Sequence, residues 1–309
     1  MNARHLGQLV LAMSLVALDV ASVRADNSGQ DIIDAGNRTI DLIGREIFHP
    51  HLSENERRLF SEQRISVRPA ADFNAYVDYQ NERILIPGQM LAEVQLQIHG
   101  QIMVFENPSL AGKYADWLYA LAERTARAAR RIRDKQAVVD DIPIESFWHF
   151  AGVPQPRGLT PRQAVYQSEV FIDLLSFIVG HELGHLALGH GATASAGNRA
   201  AQEYAADAYA LNLMQRSGRS VLPVISHLYM RFIAMEAVTG EAGHSSSRSH
   251  PPSQCRIHRI GHAELAGIMQ SPAARANYER TTGMSVETFY QQLREFARAC
   301  EETSGRGDA

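Results

Sequence analysis

The chain has 309 residues, of which 45% are hydrophobic, and it carries a formal net charge of −4. This length is enough for one sizeable hydrophobic core or two small ones. The nearly balanced charge lacks the large basic field of a nucleic-acid-binding protein, so nucleic acid is excluded as the main partner.

The first 25 residues predict a signal peptide for export. Arg4 and His5 form a short basic start, and an apolar run follows over residues 6–23. This run is short and ends in an A-x-A-like cleavage site at Ala25, which favours cleavage. The alternative is an uncleaved membrane anchor. We expect an exported protein, periplasmic or secreted, that is soluble after cleavage.

The remaining pattern predicts a mainly α (α+β) fold. Apolar residues recur at helical spacing along most of the chain, whereas two short strand-like runs flank residues 80–82 and predict a β-hairpin. Thr160 as N-cap and Pro161 at the first helical position predict the start of a long helix. The predicted elements, in chain order, are helix 31–48, hairpin 75–87, and helices 89–106, 111–135, 161 to about 189, 198–216, 222–238, 253–269 and 286–300.

The chain has two cysteines, Cys255 and Cys300. In an oxidising compartment they could pair as a disulfide. The alternative is two unpaired thiols, and spacing alone does not decide between them because a disulfide requires the two Cα atoms to be close in space.

The segment His181-Glu182-Leu183-Gly184-His185 lies within the long predicted helix. Histidines four residues apart lie on one helix face, so both imidazoles can reach one metal ion. Glu182 can accept a proton from a metal-activated water. The turns before the segment are very apolar, which predicts a buried helix; the alternative reading is a pair of core histidines that bind no metal.

A zinc site needs a third protein ligand, and Glu203 on the next predicted helix is the best candidate. Asp207 lies one helical turn further on, so it faces the same way and can accept the free N–H of a ligating histidine. Two alanines, Ala205 and Ala206, would let the two helices pack tightly. The alternative is an exposed acidic pair on an amphipathic helix.

Three ordered motifs resemble one peptidase family. HELGHLALGH, then EYAAD, then Ser249-His250-Pro251-Pro252 followed by Arg256-Ile257, are similar to the gluzincin metallopeptidases typified by CAAX prenyl endopeptidases, HtpX and BepA. Those enzymes carry HExxH, a downstream ExxxD and a late HP…R segment. The resemblance covers about residues 162–259.

The resemblance implies one zinc ion per chain, bound by His181, His185 and Glu203. It also implies Glu182 as general base, with Asp207 holding a ligand in place. His250 and Arg256 are expected near the mouth of the site, where His250 could donate to the oxyanion of the tetrahedral intermediate. The alternative for His250 is that its His-Pro-Pro segment only shapes a loop.

These observations predict a zinc-dependent endopeptidase with a zincin-like fold and a small β-hairpin or sheet beside the active-site helix. Its expected substrates are proteins or peptides of the cell envelope, and peripheral membrane association is a further expectation. The chain lacks the spanning helices of membrane-embedded family members, so prenylated substrates are not expected. The alternatives are a zinc hydrolase of cell-wall peptide or small molecules, and a non-enzymatic chaperone-like envelope factor.

The predicted organisation has four parts. A signal peptide covers residues 1–25, and an N-terminal helical and hairpin part covers residues 26–160. The zinc-binding catalytic part covers residues 161–303, and a disordered tail covers residues 304–309. The sequence leaves open the natural substrate, the cleavage specificity and the oligomeric state. It also leaves open whether the N-terminal segment or the polar loop 239–252 gates the site.

Overall fold

A computed structural model of the chain describes residues 30–60, 64–70, 73–133, 145–156, 158–191, 196–240, 250–270, 272–282 and 285–304. The predicted signal peptide, residues 305–309 of the predicted tail and most of the predicted loop 239–252 lie outside the described residues.

The fold is mainly α-helical with one three-stranded sheet, as the sequence predicts. The α-helices and strands are α1 (Gln30–Leu42), α2 (Glu54–Leu59), β1 (Ile65–Arg68), β2 (Tyr76–Asp78), β3 (Arg83–Pro87), α3 (Gly88–Glu106), α4 (Ala111–Arg133), α5 (Phe147–Ala151), α6 (Pro161–Ala187), α7 (Ala196–Arg216), α8 (Met230–Thr239), α9 (Ser253–Met269), α10 (Pro272–Thr282) and α11 (Val286–Ser304). Two π-helical segments, π1 (Ile43–Phe48) and π2 (Val224–Tyr229), adjoin α1 and α8.

The predicted hairpin is present as β2 and β3, and the sheet contains one further strand. β2 pairs antiparallel with β3, and β1 pairs with β3 in parallel, so the strand order is β1-β3-β2. The Asp78 side chain accepts hydrogen bonds from the backbone N–H groups of Gln80 and Asn81 in the turn. The order leaves β2 at one edge of the sheet, where it contacts α6.

Helix α6 is the central element of the fold. Its N-terminus is capped by Thr160, whose hydroxyl accepts from the backbone N–H of Gln163, and Pro161 occupies the first turn as predicted. Almost every side chain from Val170 to His185 is buried. Among the described residues α6 is the one helix long and apolar enough to cross a membrane, but most of its apolar stretch is covered by the rest of the protein.

Helices α6 and α7 pack closely because glycines of α6 face small residues of α7. A Cβ atom on Gly184 would lie 3.2 Å from the Ala206 Cα and 3.1 Å from the Tyr209 Cβ. A Cβ atom on Gly180 would lie 3.3 Å from the Ala210 Cα. The tight packing predicted from the alanines is confirmed at Ala206, and it brings the side chains of the two helices next to each other.

Several elements differ from the predicted ones. Three helices, α2, α5 and α10, were not predicted. α2 and α5 have six and five residues, too few turns for a clear apolar period, and the eleven residues of α10 are mostly polar. The first predicted helix and helix 222–238 each contain a π-helical segment. The last helix ends at Ser304, the first residue of the predicted tail.

Cys255 and Cys300 form a disulfide that joins α9 to α11, with their Cα atoms 4.8 Å apart. The structure therefore decides between the two alternatives that the sequence left open. The bond fixes the last helix against the helix that carries Arg256.

Candidate metal centre

Three buried side chains from two helices meet at one point. α6 contributes His181 and His185, and α7 contributes Glu203. The two imidazole Nε2 atoms lie 3.2 Å apart. The Glu203 carboxylate lies 3.4 Å from the His181 Nε2 through one oxygen and 3.5 Å from the His185 Nε2 through the other. These residues form the group that could hold a metal ion.

The donor geometry fits a tetrahedral cation. Zinc bonds to imidazole nitrogen and carboxylate oxygen of about 2.0–2.1 Å place two tetrahedral ligands about 3.3 Å apart. The three distances in the centre, 3.2, 3.4 and 3.5 Å, scatter around this value. In addition, one buried carboxylate oxygen of Glu203 has no hydrogen-bond partner among the described residues, which a cation would satisfy.

The electrostatics of the centre also favour a positive charge. Burial alone would lower the pKa of His181, but the neighbouring carboxylates of Asp207 and Glu203 raise it to about 10. Burial would raise the pKa of Glu203, yet His181 and Arg256 lower it to about 2, so the carboxylate is ionised. Burial and the neighbouring His181 lower the pKa of His185 to about 3, so its imidazole is neutral and offers a lone pair.

Asp207 holds His181 in place from the side away from Glu203. One Asp207 oxygen, Oδ1, lies 3.0 Å from the His181 Nδ1. Arg256 donates to both carboxylate oxygens, from Nη2 at 2.6 Å and from Nε at 2.8 Å. This bidentate pair keeps Asp207 ionised, and its pKa lies well below the usual range although burial opposes this. His181 therefore presents Nε2 to the metal position.

Glu182 and Tyr79 complete the polar surroundings of the centre. Glu182 is buried next to the first ligand, and this burial raises its pKa to about 7. Tyr79 follows β2 directly, and its pKa is raised to about 12 by burial and by the negative charges of Glu182 and Glu203. Its hydroxyl therefore stays protonated and available as a donor.

Two further histidines border the centre. The His250 Nε2 lies 3.4 Å from a Glu203 oxygen, and burial lowers the pKa of His250 to about 4, so the ring is neutral. The His190 Nδ1 lies 2.9 Å from the Nδ1 of His185, on the ring edge opposite to the metal position. His190 thus contacts a candidate ligand without facing the metal position.

The structure brings every predicted site residue into one cluster, namely His181, Glu182, His185, Glu203, Asp207, His250 and Arg256. Sequence reasoning missed Tyr79 and Tyr229. Tyr229, which is fully buried, donates from its hydroxyl to Asp207 Oδ1 at 3.2 Å. Neither tyrosine lies in a spaced motif, so the sequence carried no signal that would have found them.

Comparison with known proteins supports a peptidase, a hydrolase of peptide bonds. The match is to the model of a family described as Peptidase U49 and covers residues 118–266, just under half of the chain. This range runs from within α4 to near the end of α9 and includes all seven predicted site residues. No curated protein and no solved structure matches the chain. The finer resemblance to CAAX prenyl endopeptidases, HtpX and BepA stays a prediction.

Proposed function

We propose that the protein is a zinc-dependent endopeptidase. The observation that carries the proposal is the set of three buried donor atoms, from His181, His185 and Glu203, at mutual distances of 3.2 to 3.5 Å. Three protein ligands with an open fourth position are typical of catalytic rather than structural zinc sites. The match to a peptidase family supports peptide-bond hydrolysis as the reaction.

Each residue of the centre has a role in the proposed reaction. A zinc ion held by His181, His185 and Glu203 would supply Lewis acidity at the scissile carbonyl and lower the pKa of water. Glu182 accepts a proton from the attacking water and passes it to the leaving amine. Neutral His250 donates an N–H to the developing oxyanion.

The edge of the sheet supports binding of an extended peptide. β2 pairs with β3 on one side only among the described residues, and it contacts α6, which carries Glu182. A peptide added along this edge would form main-chain hydrogen bonds and pass over the metal centre. We propose β2, within the stretch Tyr76 to Pro87, as the strand that positions the substrate.

The proposed substrates are proteins of the cell envelope. The signal-peptide pattern of residues 1–25 supports an exported enzyme, and the Cys255–Cys300 disulfide is consistent with an oxidising compartment. Peripheral membrane association belongs to the same proposal.

A Glu182→Gln variant tests the proposed reaction. Because the amide cannot accept the proton, casein hydrolysis should fall by at least about 100-fold. Zinc content, measured on the purified protein, should stay at one ion per chain. The control is Glu169→Gln, which changes a half-exposed glutamate of the same helix that pairs with Arg219 and should leave activity unchanged.

The outcomes of this experiment separate the alternatives. Full casein hydrolysis by Glu182→Gln would overturn the assigned mechanism. Digestion of cell-wall material without casein hydrolysis would favour a cell-wall hydrolase. A variant that still complements a deletion strain would favour a non-enzymatic envelope factor. Comparative proteomics of the extracytoplasmic fraction with wild type and Glu182→Gln would then identify the substrates.

A further inference from the structure

One oxygen of Asp207 lies next to three polar side chains, two of which donate hydrogen bonds to it. Oδ1 lies 3.0 Å from the His181 Nδ1, accepts from Arg256 Nη2 at 2.6 Å, and accepts from the Tyr229 hydroxyl at 3.2 Å. All four side chains are buried. The Asp207 carboxylate, which orients His181, is therefore itself held by Arg256 and Tyr229.

We propose that Tyr229 is a positioning residue for the metal centre, which raises metal affinity by fixing the Asp207 carboxylate against His181. The proposal rests on the proposed metal site and goes beyond it by adding an outer layer of support. Tyr229 makes no contact with the metal position, so it acts only through Asp207.

The packing of Tyr229 holds its hydroxyl in this position. Its ring centroid lies 6.3 Å from that of Phe177, which stacks on the His181 ring at 6.2 Å. The Arg256 guanidinium lies over the Tyr229 ring, 5.2 Å from its centroid, in a cation–π contact. Tyr229 therefore contacts the same arginine that binds Asp207, and its ring cannot swing away without breaking both contacts.

The local backbone accounts for the direction of the hydroxyl. Tyr229 is the last residue of π2, which continues directly into α8. A π-helical turn contains an extra residue relative to an α-helical turn, so it shifts the side chains that follow around the helix axis. A regular α-helix through residues 224–229 would direct residue 229 to a different side.

The oxygen needs all of its donors because it is buried and charged. A hydrogen bond to an ionised group contributes more to stability than one between neutral groups. With the Tyr229 hydroxyl removed, the carboxylate would be restrained by Arg256 alone and would orient His181 less firmly. Loss of such an outer contact typically lowers metal affinity by about 10- to 100-fold.

A Tyr229→Phe variant tests the proposal because it removes the hydroxyl and keeps the ring. The readout is the dissociation constant for zinc, measured by competition with a chelator on the purified protein. We expect a rise of about 10-fold. The matched control is Tyr114→Phe, since Tyr114 is a buried tyrosine whose hydroxyl donates to the Gln97 carbonyl at 3.1 Å, in contact with none of the metal-site residues. Tyr114→Phe should change the dissociation constant for zinc by less than twofold. An unchanged constant in Tyr229→Phe would overturn the proposal.

A double-mutant cycle with Asp207→Asn tests the route of action. If Tyr229 acts through Asp207, adding Tyr229→Phe to Asp207→Asn should weaken zinc binding by less than twofold more. If Tyr229→Phe weakens zinc binding by the same factor with and without Asp207→Asn, the proposal is contradicted. In wild-type protein labelled with ζ-¹³C tyrosine, zinc should shift the Tyr229 resonance and leave that of Tyr114 in place. A Tyr229 resonance that does not move when zinc is added would also contradict the proposal. This measurement uses the wild-type protein, so it does not depend on whether a variant folds.

These readouts are independent of peptidase activity. A protein that binds zinc and responds to Tyr229→Phe, but hydrolyses no peptide, would contradict the proposed function and leave this inference standing. If the wild type hydrolyses casein but Tyr229→Phe binds zinc as tightly as the wild type, the proposed function stands and this inference is contradicted.

Discussion

At the residue scale, the position of His250 allows two chemical roles, as a metal ligand or as a hydrogen-bond donor to the oxyanion. Its Nε2 lies 3.4 Å from a Glu203 oxygen, similar to the distance between that glutamate and His181. By proximity alone it could be a fourth ligand. We assign it instead to the developing oxyanion, because a fourth protein ligand would close the position that a catalytic site keeps open for water.

A His250→Ala variant separates these readings. Loss of one oxyanion donor should lower kcat by about 100- to 1000-fold while KM changes little and zinc remains bound. Steady-state kinetics with a peptide substrate, together with zinc analysis, gives both quantities. Ala in place of His149, an exposed histidine of α5, is the control. Loss of zinc from His250→Ala would make the residue a ligand.

The sequence predicted seven residues of the site and missed Tyr79 and Tyr229 for a physical reason. His181 and His185 share a helix face by their spacing, and Glu203 and Asp207 do so on the next helix, so local periodicity was sufficient. Tyr229 contacts Asp207, and Tyr79 lies within the electrostatic influence of Glu182 and Glu203, although both tyrosines belong to elements distant in sequence. No local pattern encodes such contacts, because they depend on how the helices and the sheet pack.

At the element scale, the contact between α6 and α7 sets the distance between the ligands. Gly180 and Gly184 on one helix face Ala206 and Ala210 on the other, so the two backbones approach closely enough for Glu203 to reach both imidazoles. The sequence predicted this contact from its small residues. It did not predict π2, because a π-helical segment has the same composition as the α-helix around it.

A Gly184→Val variant should push the two helices apart. The added Cβ alone would meet the Ala206 backbone at 3.2 Å, and the two methyl groups need still more room. We expect the free energy of unfolding to fall by about 1–3 kcal/mol. Zinc affinity should fall as well, since Glu203 moves away from the histidines. Urea unfolding and chelator competition measure the two effects.

The control for this variant is Gly112→Val. Gly112 lies in the first turn of α4, and a Cβ there would meet nothing within 4 Å. Its stability should stay within about 0.5 kcal/mol of wild type. Equal stability and zinc affinity in Gly184→Val and wild type would show that the close helix contact does not determine the site.

At the scale of the whole molecule, one hydrophobic core holds the parts of the site together. The core includes residues from α1, the sheet, α3, α6, α7, π2 and α9. Tyr79 after β2, Glu182 on α6 and Arg256 on α9 therefore belong to one packed body. The mainly α-helical class was predictable from apolar spacing. β1 was not, because its partner β3 lies at a distance along the chain and the strand has only four residues.

The central claim is that two imidazoles of α6 and a carboxylate of α7 hold a metal ion. Anomalous diffraction at the zinc absorption edge, from crystals of the purified protein, tests this claim most directly. We predict one peak per chain, within bonding distance of the His181 Nε2, the His185 Nε2 and a Glu203 oxygen. The account would be contradicted if no peak appears there. It would also be contradicted if the zinc ion is bound by other residues and the Glu203 side chain points away from it.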